Sequence, residues 1–313
     1  MTDRVPTTVP GAALPGCHPR TRLIINADDF GISERINAGI LQAHREGIVA
    51  ATSLMAVGGA FEQAVRSCRA VPSLDVGVHL TLVAERPLRA NVCSLVGKDG
   101  RFPADRAAFL RRWALGRTRR AEVQAEWSAQ IERVLDRGIR VTHLDSHQHI
   151  HALPGLADLA LALAGRYRIP FVRAPVEPLR VDRPLNLHGI NRMFGSAFLR
   201  ASWTLARLAA AGPAEHRPLR FLGFHDGGRL DRERLRRLLA GLRPGRAYEL
   251  MCHPGFTPEE PDVRGWQYRH EEELQALTDP SIRSEIAARG IQLCSFKDLM
   301  ALMSSSRFDY VKS

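Results

Sequence analysis

The sequence has few cysteines and no closely spaced pair of them. Its five cysteines are far apart and odd in number, which argues against a disulfide framework or a thiolate zinc site and indicates a reducing compartment. No uninterrupted apolar run is long enough to span a membrane. Residues 1–20 contain four prolines but no apolar stretch, so we expect a disordered leader rather than a signal peptide. Together these absences predict a cytoplasmic protein.

Lysines and aromatic residues are also scarce. Only three of the 44 basic residues are lysines, aromatic residues make up 6% of the chain, and the formal net charge is +11. A basic chain can bind nucleic acid or an anionic membrane surface. Here, however, the arginines are scattered along helix-like segments with few aromatic residues among them. We therefore interpret the charge as a solvated surface and predict no nucleic-acid partner.

Strand-like and helix-like segments alternate through most of the 313 residues. Seven or eight strands separated by helices predict a parallel α/β fold, either a barrel or an open sheet. No glycine-rich phosphate loop follows the first strand, where an open nucleotide-binding sheet would carry one. Polar residues instead follow several strands, whose carboxyl ends converge at the mouth of a barrel. We predict a single (β/α)-barrel catalytic domain over residues 21–303, with insertions near 81–103 and 175–218, and a tail at 304–313.

Two adjacent aspartates end the first strand. The stretch LIINADDFG (23–31) runs from apolar residues into Asp28 and Asp29. Two neighbouring carboxylates are unfavourable to bury together unless a cation or a proton compensates one of them. One interpretation is that one aspartate binds a metal ion while the other handles a proton. The alternative is that the pair caps the helix that follows Gly31.

Histidines suited to metal binding follow two other strands. His79 lies near the end of the strand DVGVHL, and the run HQHIH places His147, His149 and His151 after a strand that ends at Asp145. Imidazoles combined with a carboxylate are typical of a catalytic zinc site, and Mg²⁺ or Mn²⁺ also fits. Because side chains two residues apart in an extended segment point the same way, Asp145 and the three histidines are expected to face the mouth together. Not all of them need bind the metal, and His79 taken alone would favour the interpretation of a hydrogen-bonded core or surface residue.

Five segments carry motifs in a characteristic order. They are RLIINADDFG (22–31), GVHLT (77–81), THLDSHQHIH (142–151), VRAP (172–175) and ELMCHPGF (249–256). Together they resemble the motifs of the YdjC-like carbohydrate deacetylases, a family that includes chitooligosaccharide deacetylase. The resemblance implies a polysaccharide-deacetylase-like barrel, often seven-stranded and frequently a homodimer, with a divalent metal ion. It also implies the roles of five residues: Asp29, His79 and His147 as metal ligands, Asp28 as the proton-handling carboxylate and His253 as a second acid/base group.

Amide hydrolysis needs the chemistry that these residues offer. A metal ion with open positions lowers the pKa of a bound water and polarises the acetyl oxygen. Asp28 would then accept the water proton, and His253 would donate a proton to the leaving amine. We predict hydrolysis of the N-acetyl group of an N-acetylated amino sugar, with one Mg²⁺ or Zn²⁺ ion as cofactor. The residues predicted to contact the substrate are Asp145, His149, His151 and Arg173, with an ion pair inside the mouth as the alternative for Arg173.

Three other functions fit parts of the same sequence. Amidohydrolases and phosphoesterases also use HxH pairs in barrels, but theirs usually follow the first strand, where this chain has two aspartates. An apolar segment among arginines would suit peripheral contact with a membrane, and the substrate would then be a lipid-linked acetylated sugar. The residues concerned are Phe194, Phe198, Trp203 and Leu208. A non-enzymatic protein that binds nucleic acid or a membrane surface would leave the spacing of aspartates and histidines unexplained.

Overall fold

The computed structural model describes residues 20–177, 199–206, 219–260, 263 and 265–309. Within these ranges eight strands alternate with helices, as the sequence predicts. The strands are β1 (Thr21–Phe30), β2 (Ala51–Leu54), β3 (Asp75–Leu80), β4 (Val141–Ser146), β5 (Phe171–Val172), β6 (Arg220–Leu222), β7 (Ala247–Cys252) and β8 (Ile291–Leu293). The α-helices are α1 (Glu34–Arg45), α2 (Phe61–Ala70), α3 (Arg106–Ala114), α4 (Arg120–Asp136), α5 (Ala157–Arg166), α6 (Arg232–Ala240), α7 (His270–Thr278), α8 (Pro280–Ala288) and α9 (Phe296–Asp309). A 3₁₀ helix, His147–Ala152, follows β4, and residues 199–206 are helical.

All the strand pairs in these ranges are parallel, and they form one sheet. Its order is β5-β4-β3-β2-β1-β7-β6, and β8 pairs with the first residues of β1. The sheet curls into a half-barrel with flanking helices, because parallel neighbours need crossover connections that carry helices to the outside. No pairing joins β5 to β6 within the described part of the chain. The predicted barrel-like α/β fold is confirmed.

Strand β1 lies at the centre of the sheet and pairs with β2, β7 and β8. Its residues Ile25 and Ala27 are fully buried, as expected for a parallel strand covered on both faces. The register against β2 shifts between Ala27 and Phe30, and Asp29 has a φ of 67°. This irregularity interrupts the alternation that would send Asp28 and Asp29 to opposite faces. Both carboxylates can therefore serve the same site.

Helix α1 follows β1 and has a cap of its own. The Ser33 hydroxyl accepts a hydrogen bond from the Ile36 N–H at 3.2 Å, so Ser33 is the N-cap residue. This finding excludes the alternative in which the aspartate pair caps the helix. On the buried face of α1, a Cβ on Gly39 would lie 2.4 Å from the Cα of Gly255. Only glycine therefore allows the helix to approach the loop after β7 so closely.

The first predicted insertion is held in place by carboxylates of α4. Residues 81–103 contain no helix or strand. Glu126 accepts hydrogen bonds from the N–H groups of Leu88 and Arg89 at 3.0 and 3.1 Å, and Glu122 accepts one from the Ser94 N–H at 2.7 Å. Hydrogen bonds to main-chain donors define the path of an irregular segment. The insertion leads into α3, whose first residues line the mouth of the sheet.

Several predictions fall wholly or partly outside the described residues. These include nearly all of the leader, most of the 175–218 insertion, and Phe194, Phe198 and Leu208 of the apolar segment. Trp203 of that segment is buried, whereas Leu205 beside it is exposed. Helix α9 continues to Asp309, into the predicted tail. Among the helices that the structure describes, none is both long enough and apolar enough to cross a membrane.

Candidate active site

Titratable side chains from several strands converge at the carboxyl ends of the sheet. Each is at most 6% exposed, so water screens their charges weakly and their mutual interactions are strong. They lie in or directly after β1, β3, β4, β5 and β7: Asp28, Asp29, His79, Asp145, His147, Arg173, Glu249 and His253. The parallel sheet explains this convergence, because it brings the ends of all these strands to one mouth.

Asp29, His79 and His147 direct their side chains toward one point. Oδ1 of Asp29 lies 3.2 Å from Nε2 of His79 and 2.8 Å from Nδ1 of His147. One ligand atom from each of the three residues lies within 4.8 Å of the others. Oδ2 of Asp29 and Nε2 of His147 are buried and have no hydrogen-bond partner among the described residues. Because buried polar atoms normally have partners, these atoms and this donor set fit a divalent ion.

Asp29 has the charge that a metal ligand needs. Burial raises the pKa of Asp29, but the charges and hydrogen bonds of His147 and His79 lower it by a larger amount. The pKa therefore lies well below its usual range. The carboxylate is therefore anionic at neutral pH, as metal binding requires. Its φ of 67° is uncommon for a residue other than glycine and is the kind of backbone strain that clusters at functional sites.

His79 is oriented by a further carboxylate. Its Nδ1 lies 2.7 Å from Oδ1 of Asp145, whose Oδ2 accepts a hydrogen bond from the Ser53 hydroxyl at 2.7 Å. Burial lowers the pKa of His79, but Asp145 and Asp28 outweigh that effect and raise the pKa to about 10. These carboxylates favour a positive charge on the ring, which a proton or a divalent ion can supply. Asp145 itself is fully buried behind His79 and lies outside the cleft lining.

A buried arginine lies behind Asp28. The Arg173 guanidinium donates hydrogen bonds to both carboxylate oxygens of Asp28 at 2.6 and 2.7 Å. It also forms ion pairs with Asp145 and Glu249, each at 2.7 Å. The Arg173 side chain is 1% exposed and is absent from the cleft lining. The structure thus places it in the ion pair that the sequence left as the alternative, where the bidentate contact fixes the orientation of Asp28.

The histidine run does not continue β4. The strand ends at Ser146, and the chain enters a 3₁₀ helix in which Gln148 and His149 have φ values of 56° and 57°. The expectation that Asp145 and the three histidines face the mouth together is therefore wrong. It assumed an extended segment, but left-handed residues turn successive side chains in different directions.

The three histidines consequently have different surroundings. His147 lies beside Asp29 and His79, in the group that could hold a metal ion. His149 lines the cleft, and its ring centroid lies 5.4 Å from that of Phe224. His151 is fully buried, with Nδ1 2.6 Å from the Ser146 hydroxyl and Nε2 2.9 Å from a main-chain carbonyl. Substrate contact remains a prediction for His149, whereas the hydrogen bonds of His151 are those of a residue that stabilises the turn.

His253 follows β7 and lies close to Asp29. Its Nε2 is 4.0 Å from Oδ2 of Asp29, and its ring packs against Tyr268 with centroids 4.8 Å apart. Burial lowers the pKa of His253 to about 4, although Asp29 and Asp28 oppose the shift. The imidazole is therefore neutral at pH 7. It can act as a general acid only after it has accepted a proton.

A cleft of about 420 Å³ opens onto the cluster. Five of the predicted residues line it: Asp28, His79, His147, His149 and His253. The sequence analysis did not single out the rest of the lining, which includes Asp105, Arg106, Gln148, Phe224, Met251 and Tyr268. Burial lowers the pKa of Arg106, and its guanidinium has no ion-pair partner in the described ranges. No local pattern distinguishes this arginine from the many others in the chain.

Comparisons with known proteins agree with these features. A sequence model of the family described as YdjC-like protein matches residues 22–288. A carbohydrate deacetylase from Geobacillus stearothermophilus is 34% identical over 281 residues, covering 89% of this chain and 98% of that protein. The human carbohydrate deacetylase is 33% identical over 304 residues, covering 90% and 92%. A crystal structure from Enterococcus faecalis, provisionally described as a cellobiose-phosphate cleavage protein, superposes with a TM-score of 0.68 at 28% identity, covering 90% of this chain and 99% of that one.

Proposed function

The chain belongs to the family of YdjC-like proteins, and we propose that it is a metal-dependent deacetylase that hydrolyses the N-acetyl group of an N-acetylated amino sugar. Water adds its oxygen to the acetyl carbon, the C–N bond breaks, and acetate and a free amine leave. The observation that supports this proposal is that one possible ligand atom from each of Asp29, His79 and His147 lies within 4.8 Å of the others, with Asp28 beside them. The names of the similar proteins, which are carbohydrate deacetylases, support the same reaction.

Asp29, His79 and His147 would hold the divalent ion, for which Zn²⁺ and Mg²⁺ are the candidates. When bound, such an ion polarises the acetyl oxygen and lowers the pKa of a water molecule. Asp145 would fix the orientation of the His79 ring, since Oδ1 of Asp145 lies 2.7 Å from Nδ1 of His79. A carboxylate in that position also raises the basicity of the ligand.

Asp28 accepts the proton of the attacking water in this proposal. It lines the cleft, and its carboxylate is held by Arg173 and by the Asn26 side chain, which donates a hydrogen bond at 2.8 Å. A base that is already oriented loses little entropy when the substrate arrives. His253 then passes a proton to the departing amine. Because His253 is neutral at pH 7, its ring first takes a proton from solvent in the cleft, and Asp28 later returns the proton of the attacking water to solvent.

The reaction itself is tested by acetate release. We expect acetate from short N-acetylglucosamine oligomers or from lipid-linked N-acetylglucosamine, and we expect a chelator to abolish it. Comparison of these two substrates tests the lipid-linked alternative. A protein that releases no acetate from either substrate but hydrolyses p-nitrophenyl phosphate would be a phosphoesterase, and the proposal would be wrong.

The ligand set is tested by metal binding without turnover. We expect His79→Ala to weaken Zn²⁺ binding in calorimetry by at least about 100-fold, since loss of even an outer partner of a metal ligand weakens binding 10- to 100-fold. His44→Ala is the matched control, because His44 lies in the last turn of α1 and bonds the main-chain carbonyl of Val49. Equal affinity of the two variants would remove His79 from the site.

Arg106 is expected to bind the substrate. A hydrogen bond from a charged group contributes about 1.5–3 kcal/mol, so Arg106→Gln should raise KM roughly 10- to 100-fold with a much smaller change in kcat. Arg111→Gln, an exposed position on the same helix, should leave both constants unchanged. An unaltered KM in Arg106→Gln would show that this wall of the cleft does not contact the sugar.

A homodimer, a cytoplasmic location and a peripheral membrane contact stay predictions of the sequence. Two sedimentation experiments address the first and the last of them. Analytical ultracentrifugation gives the oligomeric state, and co-sedimentation with anionic liposomes detects membrane contact.

A further inference from the structure

Two side chains of helix α7 form hydrogen bonds with the main chain of His253, one with its N–H and one with its carbonyl oxygen. The His253 N–H donates a hydrogen bond to Oε2 of Glu273 at 2.5 Å, and the His253 carbonyl oxygen accepts one from Nδ1 of His270 at 2.8 Å. Both partners lie in the first turn of α7, and both are buried. The N–H of Gly255, two residues later, bonds the His270 carbonyl at 3.3 Å. The loop that carries His253 is therefore tied to a single helical turn.

The burial of Glu273 calls for a reason beyond helix stability. Acidic residues are favourable in the first turn of any helix, and Glu271 and Glu272 beside it are exposed as that effect allows. Glu273 instead turns inward and is fully buried. Its second oxygen accepts the N–H of Leu230 at 3.0 Å, so both oxygens bind main chain. A carboxylate is unfavourable to bury without such bonds, and here the bonds define the positions of two loops.

The His253 ring, by contrast, forms no hydrogen bond with the described residues that would fix its orientation. Its Nδ1 is buried without a hydrogen-bond partner among the described residues, and its Nε2 is 4.0 Å from the nearest carboxylate oxygen. Contact with the Tyr268 ring limits its tilt but forms no directional bond. The position of the imidazole therefore depends on the position of its own main chain. Most acid/base histidines are oriented by a hydrogen bond to the second ring nitrogen.

We propose that Glu273 and His270 are positioning residues, which hold the main chain of His253 so that its ring meets the leaving amine. This inference rests on the proposed function, in which His253 transfers the proton. Small displacements of such a group have large effects, since a shift of about 1 Å can lower a rate roughly 100-fold. The two residues act through the main chain and do not themselves touch the substrate.

The His270 contact offers a conservative rescue. His270→Ala removes the donor, whereas the side-chain amide of His270→Asn places an N–H close to the position of Nδ1. We expect His270→Ala to lower kcat about 10- to 100-fold with little change in KM, and His270→Asn to recover most of the loss. His44→Ala is the matched control, because Nδ1 of His44 lies 2.8 Å from the Val49 carbonyl oxygen in the same kind of contact. It should keep the wild-type kcat.

The Glu273 contact has an equally close match. Glu126 is also a fully buried carboxylate that accepts two main-chain N–H groups, from Leu88 and Arg89. In Glu273→Gln and in Glu126→Gln, the side-chain NH₂ group replaces a carboxylate oxygen and faces a main-chain N–H with no acceptor between them. The two variants should therefore show similar decreases in melting temperature. Only Glu273→Gln should lower kcat. If Glu273→Gln does not fold, the His270 pair decides.

Two results would overturn the proposal. One is a folded His270→Ala variant with the kcat of the wild type. The other is a loss of kcat that His270→Asn does not recover, since that would indicate damage unrelated to the donor. Failure of the proposed function looks different, because the wild type itself would then release no acetate. A wild-type rate in His253→Ala would contradict the acid role of His253, and the positioning role would fail with it.

Discussion

Asp28→Asn is expected to lower kcat for acetate release by a factor on the order of 10² to 10⁴, the usual contribution of a general base, while the protein still binds a divalent ion. The amide is nearly isosteric with the carboxylate, but it cannot accept the proton of water. The proposed ligands Asp29, His79 and His147 are untouched by this change. The measurement is acetate release under saturating substrate, with Zn²⁺ affinity determined on the same preparation.

The neighbouring substitution provides the contrast. Asp29→Asn removes the anionic ligand whose Oδ1 lies within 3.2 Å of both histidines, so we expect loss of metal binding together with loss of activity. The pair thus separates two carboxylates that are adjacent in the chain but differ in function. Full turnover in Asp28→Asn would exclude Asp28 as the base. Retention of metal by Asp29→Asn would exclude Asp29 as a ligand.

Arg173→Met is expected to reduce the free energy of unfolding by about 3–5 kcal/mol, the range seen when one partner of a buried ion pair is removed. The guanidinium lies between Asp28, Asp145 and Glu249 and is 1% exposed. Its removal leaves Asp28, Asp145 and Glu249 buried close together without their guanidinium partner. Urea denaturation of the purified variant measures the change.

A surface arginine is the matched control for that experiment. Arg120 contacts both carboxylate oxygens of Asp158, but its side chain is 43% exposed. Exposed pairs of this kind contribute about 0.2–1 kcal/mol, so Arg120→Met should have a small effect. A loss in Arg173→Met no larger than that in Arg120→Met would mean that the buried carboxylates do not depend on the arginine for their stability.

Glu249 is the third carboxyl group that contacts Arg173. Burial raises the pKa of Glu249 to about 7, although the Arg173 guanidinium opposes the shift. Arg173 thus favours the charged form of a carboxyl group that burial alone would keep neutral. Glu249 lies within the ELMCHPGF motif, yet the motif by itself does not tell which of its polar residues faces the arginine.

Local pattern was sufficient for much of this protein. The predicted strand DVGVHL coincides with β3, because a short apolar run between turns leaves few alternatives to a buried strand. The side chains of Asp29, His79 and His147 meet, because residues that follow parallel strands share one edge of the sheet. The sequence by itself therefore determined the fold class, the aspartate–histidine cluster and, through the motifs, the family.

Three features depended on contacts between distant segments. The turn after Ser146 places His149 and His151 in different surroundings, and the strand pattern did not predict this turn. Arg173 forms ion pairs inside the mouth, since the three carboxylates around it lie on other strands. The pairing of α7 with His253 was missed entirely, because a buried glutamate and an exposed one look alike in a run of acidic residues. Only the tertiary structure decided these points, since the environment of a polar side chain is set by whichever distant residues the fold brings against it.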